Sequence, residues 1–342
     1  MSYNRVVKSA LVISALLPIS CGVMAQQAPT RAITEIADDL YWAQNNNHHS
    51  VFLVTDEGII LADPINADFS AWLKAEIDDR FGVPVRYVLY SHHHWDHASG
   101  GAVFEDTAQF VGHQNMLGNL ALRPAGTPLP ANAAELDANG NGQIEPSEAS
   151  GNFAQSFDLY DADGDGMISG AEATRGALND VRVPDIVYRD RMTISLGGKS
   201  ADLIHIGTMD HTDDMSVVLF QDEGVVFVVD YISIGRVPFQ TIFRSTGPGT
   251  LDALLNSIRL VEMLDFDVVA PGHGVVGDKS DIAAYRHYLE ELRDSVVAGI
   301  ASGRTVEELQ ASILMAPYSD WMNYENWRPL NVAGMYNQLT QD

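Results

Sequence analysis

The sequence predicts an α/β fold interrupted by a small helical insertion, and three observations carry this. An apolar run of strand character at residues 83–90 ends in the histidine cluster SHHHWDHASGG, residues 91–101. Beyond residue 250 the apolar residues recur at helical spacing. Between these regions lie two acidic, glycine-bearing loops, DANGNGQIEPSE at 137–148 and DADGDGMISGAE at 161–172, which fit neither pattern. The 342 residues amount to two domains at a prior of about 150 residues each, and a hydrophobic content of 46% supplies a large core.

The histidine cluster has a geometric meaning. Side chains alternate along an extended segment, so His92 and His94 should face one way and clamp one ion together. Asp96 and His97 fall where the chain leaves the strand and should reach a second position beside the first. Gly100 and Gly101 permit the tight turn that follows. A surface histidine cluster is the bland alternative, and four histidines among six residues argue against it. The pattern points to a metal-dependent hydrolase.

With His92, His94, Asp96 and His97 standing as HxHxDH, the chain resembles the metallo-β-lactamase superfamily. The likeness continues in order. VFLVTDEGIILADP, residues 51–64, resembles the family's opening hairpin, turning near Glu57 and Gly58 and closing on Asp63. GTMDHTDDMSVVLF resembles its third-histidine motif, with His211 in the ligand position. VVFVVDYI resembles the strand that ends in a bridging aspartate, here Asp230, and APGHG supplies His273. The match covers about residues 32–115 and 184–290.

The resemblance implies an αββα sandwich with two metal ions at one edge of its sheets. It assigns His92, His94 and His211 to one ion, Asp96, His97 and His273 to the other, and Asp230 to both; Asp96 and Asp230 are thereby also the catalytic carboxylates. Asp63 is expected behind the ligands, holding a histidine in one tautomer. Imidazoles and carboxylates without a thiolate suit two Zn2+ ions best, with iron or manganese as rivals. Such a pair acidifies a shared water and polarises a carbonyl, so a hydroxide opens an acyl bond without a side-chain nucleophile. Tyr231 and Asp210, beside the ligands, either orient substrate or pack. The superfamily's breadth leaves lactones, thioesters and β-lactams as small-molecule substrates, with an iron oxidoreductase of the same fold or a non-catalytic calcium-binding module as alternatives.

The remaining histidines read otherwise. His93 should point to the opposite face from its neighbours and be satisfied there or by solvent. His113 reads as structural, His205 as a strand residue with a ligand role as the lesser alternative, His48 and His49 as the start of a hairpin strand whose end overlooks the site, with substrate contact the lesser alternative, and His287 as helix surface.

Each acidic loop fits the twelve-residue calcium loop of an EF-hand. Asp137, Asn139, Asn141, Gln143 and Glu148 occupy positions 1, 3, 5, 7 and 12 of the first, and Asp161, Asp163, Asp165, Met167 and Glu172 those of the second. Position 6 is glycine in both, and position 8 isoleucine. Short oxygen-bearing side chains at alternate positions wrap a hard cation, and the last glutamate closes the shell with two oxygens. Two Ca2+ ions are expected, bound more tightly by the second loop because its early ligands include three aspartates. A flexible polar loop is the alternative for a single match. The pair reads as an insertion at residues 130–180 into a discontinuous hydrolase domain, 32–125 and 182–342, and as a structural clip more than a regulator.

The termini complete the reading. Arg5 and Lys8 precede an apolar stretch at residues 10–19, and Val23-Met24-Ala25 offers a cleavage site, so residues 1–25 are expected to be a signal peptide directing export to the periplasm or outside. Cleavage would remove Cys21, the only cysteine; a lipoprotein attached through Cys21 is the rival. Helices are expected at residues 251–263 and 282–300 and after Thr305, and the aromatic tail either packs on the core or joins a homo-oligomer. A net charge of −26, from 46 acidic and 20 basic residues, excludes nucleic acid as a partner. No stable membrane association is expected.

Overall fold

The structure is a computed structural model that describes residues 28–207, 211–243 and 250–341. The expected signal peptide, Cys21 and Asp210 lie outside the described residues. The strands run in chain order as β1 (Arg31–Ala37), β2 (Leu40–Asn45), β3 (His48–Thr55), β4 (Gly58–Ala62), β5 (Val85–Leu89), β6 (Gln109–His113), β7 (Gln143–Ile144), β8 (Ile168–Ser169), β9 (Ile186–Tyr188), β10 (Arg191–Leu196), β11 (Lys199–His205), β12 (Ser216–Phe220), β13 (Val225–Val229), β14 (Val268–Pro271) and β15 (Gly277–Asp278).

Two sheets form the centre. The first has the order β1-β2-β3-β4-β5-β6-β9, antiparallel through β4 and parallel beyond it. The second runs β10-β11-β12-β13-β14-β15, with β13 and β14 parallel. In β4, Ile60 and Ala62 join the core between the sheets, while Ile59 and Leu61 join a second core outside it. Period-2 alternation therefore buries both faces, as a strand of a covered sheet requires. The outer core is closed by helix Ala67–Arg80 through Phe69, Leu73 and Ile77. Asn66 caps that helix by accepting from the Phe69 N–H at 2.9 Å. Helices Thr250–Glu262 and Lys279–Ala301 cover the other sheet with Leu255, Ile258, Ile282 and Leu289. The result is the expected αββα sandwich.

The C-terminal helices fall close to their expected bounds. Thr305 caps Val306–Ser312 in a capping box with Glu308, so the chain-level signal is realised in full. The aromatic tail folds back on its own chain. Helix Tyr324–Thr340 buries Val332 and Met335 in the main core, and buried Asn331 accepts from the Tyr288 hydroxyl at 2.8 Å while donating to the Pro238 carbonyl at 3.0 Å.

Residues 130–180 form a unit with a core of their own, built on Ala133, Ile144, Phe153 and Ile168. Its two short strands pair antiparallel with Ile144 opposite Ile168, flanked by short helices such as Gly170–Arg175. The unit leaves and rejoins the sandwich between adjacent strands, since β6 pairs directly with β9. It rejoins beside the histidine cluster: Gly100 N–H donates to the Asp180 carbonyl at 3.1 Å, and Ser99 bridges Val181.

Candidate metal centre

Strand β5 stops at Leu89, so His92 and His94 are not on a strand and their convergence does not come from period-2 alternation. This corrects the expected geometry. The cause of the convergence is Asp63, at the end of β4, whose carboxylate accepts from Ser91 N–H at 2.9 Å and from the Ser91 hydroxyl at 2.7 Å. With its proton committed to Asp63, the Ser91 oxygen accepts from His92 Nδ1–H at 2.9 Å. His92 Nε2 is left as a bare lone pair. Asp63 also accepts from His97 Nδ1–H at 3.1 Å, which turns His97 Nε2 inward toward Asp230. His94 then starts the short helix Trp95–Ala98, and that turn brings Asp96 and His97 around the corner.

The other side chains arrive from the second sheet. Asp230 follows β13, His273 follows β14, and His211 precedes β12. His273 Nδ1–H donates to the Asn47 carbonyl at 2.8 Å, so its Nε2 also faces inward. The ligand atoms of His92, His94, His211 and Asp230 lie within 4.8 Å of one another, as do those of Asp96, His97, His273 and Asp230. Asp230 is common to both sets, with Oδ1 at 2.9 Å from His97 Nε2 and Oδ2 at 3.5 Å from His211 Nε2. Gly272 makes room for this approach, because a Cβ there would stand 2.9 Å from His97 Cε1 and 3.1 Å from Asp230 Oδ1.

The electrostatics suit cations. Burial, with help from neighbouring imidazoles, holds His92 well below the ordinary histidine value and lowers His94 to about 3, so both are neutral ligands. Burial opposes the charge on Asp230, but His97 and His273 overcome it and hold the carboxyl well below its usual range. Burial likewise opposes Asp96, which the His48 hydrogen bond brings down to about 2. His97 Nε2 and Asp230 Oδ1 are both buried and, despite their proximity, neither has a hydrogen-bond partner of good geometry among the described residues. Inward polar atoms left unsatisfied in this way are what a bound cation would complete.

The remaining expectations are placed as follows. His93 turns away from the pair and donates to Asp214 at 3.0 Å. His113 donates to the Arg189 carbonyl at 2.7 Å and stacks on His205 at 4.0 Å between ring centroids, so His205 is engaged away from both ligand sets. His48 Nε2 lies 3.3 Å from Asp96 Oδ2, while His49 is buried against Trp42. Tyr231 is buried, with its hydroxyl unpartnered among the described residues. His287 is exposed on its helix.

In the insertion, Asp161, Asp163 and Glu172 bring carboxylate oxygens within 4.8 Å of one another. Asp137 and Asp161 each accept from the glycine N–H at position 6, at 2.8 and 2.9 Å. Asn141 and Gln143 of the first loop, and Asp165 and Met167 of the second, lie along the same turns. Glu145, at position 9, accepts from the side chains of Asn139 and Asn141; it is absent from the expected ligands although the ninth position often contributes through a water.

A cleft of about 1010 Å³ opens on the two ligand sets. Its far wall comes from residues that no local motif marks: Arg236, Phe239 and Ile242 after β13, and Met322 and Trp327 from the tail. They meet only through tertiary packing, which sequence periodicity does not report.

Comparison with known proteins agrees with this geometry. No curated protein matches the chain. Among solved structures, a metallo-beta-lactamase from Pontibacter korlensis is similar at 17% identity and TM-score 0.50, over 76% of this chain and 99% of that one. The stereoselective inverting sec-alkylsulfatase Pisa1 from Pseudomonas sp. is similar at 13% identity and TM-score 0.61, over 91% of this chain. The chain spans 50% of that sulfatase's length. At these identities the likeness is one of fold alone. The model of the metallo-beta-lactamase superfamily matches residues 45–273. Since that span is more than half of the chain and takes in all seven converging residues, the chain belongs to the metallo-beta-lactamase superfamily of metal-dependent hydrolases.

Proposed function

We propose that the protein is an exported dinuclear zinc hydrolase that opens an acyl bond in a small molecule (a lactone, thioester or β-lactam), and that its insertion is an EF-hand pair holding two Ca2+ ions. The observation that supports the reading most is the sharing of Asp230 between two histidine-rich sets, in which hydrogen bonds at Nδ1 of His92, His97 and His273 turn Nε2 inward. His92, His94 and His211 would hold one ion, Asp96, His97 and His273 the other, and Asp230 both. Bound there, the ions supply polarisation of a carbonyl and a water acidified toward neutrality.

The chain's own residues do the rest. Asp63, through Ser91 and His97, fixes two imidazoles in the tautomer that presents Nε2. His48 orients Asp96, and half-buried Trp42 stacks on buried His49, with 3.7 Å between ring centroids. In the insertion, Glu172 is buried and its carboxylate accepts from Ala162 N–H at 2.7 Å and Ser169 N–H at 2.8 Å, so the loop is closed around its twelfth position. Export, read from residues 1–25, fits weak calcium sites, since extracellular modules work where calcium is millimolar. Among the described residues no helix is long and apolar enough to cross a membrane.

The test is hydrolysis of a panel of lactones, thioesters and β-lactams by chelator-stripped protein before and after return of zinc. Activity that returns with zinc and is lost in His94→Ala supports the reading. Full activity in the stripped protein, or in His94→Ala, contradicts it. Activity only with iron and oxygen uptake would replace hydrolysis by oxidoreduction.

A further inference from the structure

The cleft carries a second chemical feature besides the histidines. Arg236 is the one permanently charged cation among its described lining residues. One Nη donates to the Ser233 hydroxyl at 3.0 Å, and the guanidinium lies 5.5 Å from the centre of the Trp327 ring. Its Nε is buried without a partner, and no carboxylate of the described residues lies in ion-pair range. A partly desolvated guanidinium that feels Asp230 only at a distance, with no carboxylate in contact, is costly, and the fold nevertheless pins its backbone in place: Val237 N–H donates to the Met322 carbonyl at 3.2 Å, and Met322 N–H to the Gly235 carbonyl at 2.9 Å. The same strap supplies an apolar wall. Phe239 stands edge-on to Trp327 at 4.9 Å, and Phe239, Val275 and Met322 remain 48%, 50% and 44% exposed in the cleft. The cleft's volume exceeds what a small anion would fill.

We infer that Arg236 anchors an oxyanion carried by the substrate, a carboxylate or a sulfate, whose apolar body lies on the Phe239–Met322–Trp327 wall while its acyl bond meets the Asp230 end of the cleft. The substrate class is thus an anionic amphiphile with a hydrolysable ester or thioester. A planar guanidinium takes either oxyanion through paired N–H donors, which a lysine ammonium does not reproduce. The inference rests on the hydrolase reading above and deepens it. In the reaction, water's oxygen bonds to the acyl carbon, the carbon–oxygen or carbon–sulfur bond breaks, and the acid and the alcohol or thiol leave with water's two protons between them.

The experiment compares zinc-loaded wild type, Arg236→Gln and Arg236→Lys on three p-nitrophenyl esters of one chain length, ending in a carboxylate, a sulfate or the methyl ester. In wild type the better anionic ester should exceed the neutral one in kcat/KM by on the order of tenfold or more. That ratio should collapse toward one in Arg236→Gln and be partly kept in Arg236→Lys. Which anion is preferred identifies the headgroup. A ratio unchanged by Arg236→Gln overturns the inference. Binding of octanoate, octyl sulfate and octanol to wild type by calorimetry gives an independent reading that no variant's folding can confuse: octanol binding as tightly as both anions overturns it. If none of the esters is hydrolysed, the hydrolase reading fails, while the calorimetry still decides whether Arg236 is an anion site.

Discussion

Asp63 stands in the left-handed region, φ 59°, where non-glycine residues are uncommon and aspartate is among those that tolerate it. That turn aims its carboxylate at Ser91 and His97. An amide in its place would turn an NH2 toward an N–H or O–H donor, so Asp63→Asn should weaken zinc binding by about 10–100-fold. A competition titration with a chromophoric chelator measures it, and unchanged affinity would contradict the role given to Asp63. Gly272→Ala should act from the opposite side, since the new methyl would crowd His97 and Asp230. Its predicted outcome is a loss of about tenfold or more in kcat/KM with little change in melting temperature. Wild-type activity in that variant would show that the site tolerates displacement. His49, which burial lowers to about 3, supplies a pH prediction. Its folded value lies below the ordinary 6.5, so the unfolded chain takes up more protons below that pH. The stability present above about pH 6.5 is lost as pH falls toward 3. Without an ion His97 works in the other sense, because Asp230 and Asp63 raise it against the opposition of burial, so a cation bound at its Nε2 would displace a proton. The readout is therefore a difference: in metal-free protein, melting temperature should fall more steeply with acid in wild type than in His49→Gln, and parallel curves would contradict this.

Among the elements, the insertion shows how a local motif and a tertiary contact divide the work. The Ile144–Ile168 pairing and the glycine turns are written into the two loops themselves. The attachment is not: Asn179 donates to the Asp161 carbonyl at 2.6 Å, and the adjacent Asp180 accepts from Gly100 N–H, so the second loop is tied to the segment just after His97. Gly100 must be glycine here, because with φ 80° a Cβ would fall 2.2 Å from the Asn66 carbonyl carbon. If both loops bind calcium, free ion at about 100 times the dissociation constant should stabilise the folded chain by about 2.7 kcal/mol per site. Glu172→Gln should remove more of that gain in melting temperature than Glu148→Gln, since Glu172 is buried and joined by Asp161 and Asp163. A larger loss from Glu148→Gln would reverse the predicted order of the two loops. The expected strand geometry of His92 and His94 failed for a related reason. Their identity was legible from spacing, but their direction is set by Asp63, 28 residues from Ser91 in the chain, and not by the period of β5.

At the scale of the whole molecule, the sandwich was legible because its strands and helices each carry a local pattern, and because the superfamily's motifs appear in order. The second ligand set was legible for the same reason: chemistry restricts which residues stand at the ends of β13 and β14. The substrate wall was not. Arg236, Phe239 and Trp327 acquire their meaning only when the tail folds back and Asn331 bonds to the Pro238 carbonyl, contacts between residues some ninety positions apart. Arg236 is the one Lys or Arg among the described lining residues of the cleft, and a net charge of −26 sets its recognition apart from any general attraction of the surface for anions, which that charge repels. The central claim is that seven side chains sharing Asp230 hold two ions. Its most direct test is plasma mass spectrometry of the chain purified without an affinity histidine tag, alongside Asp230→Asn. The account predicts about two zinc per chain in wild type and about one or none in Asp230→Asn, as the loss of a shared ligand requires. Wild-type protein with no transition metal, or Asp230→Asn with the full complement, would contradict it.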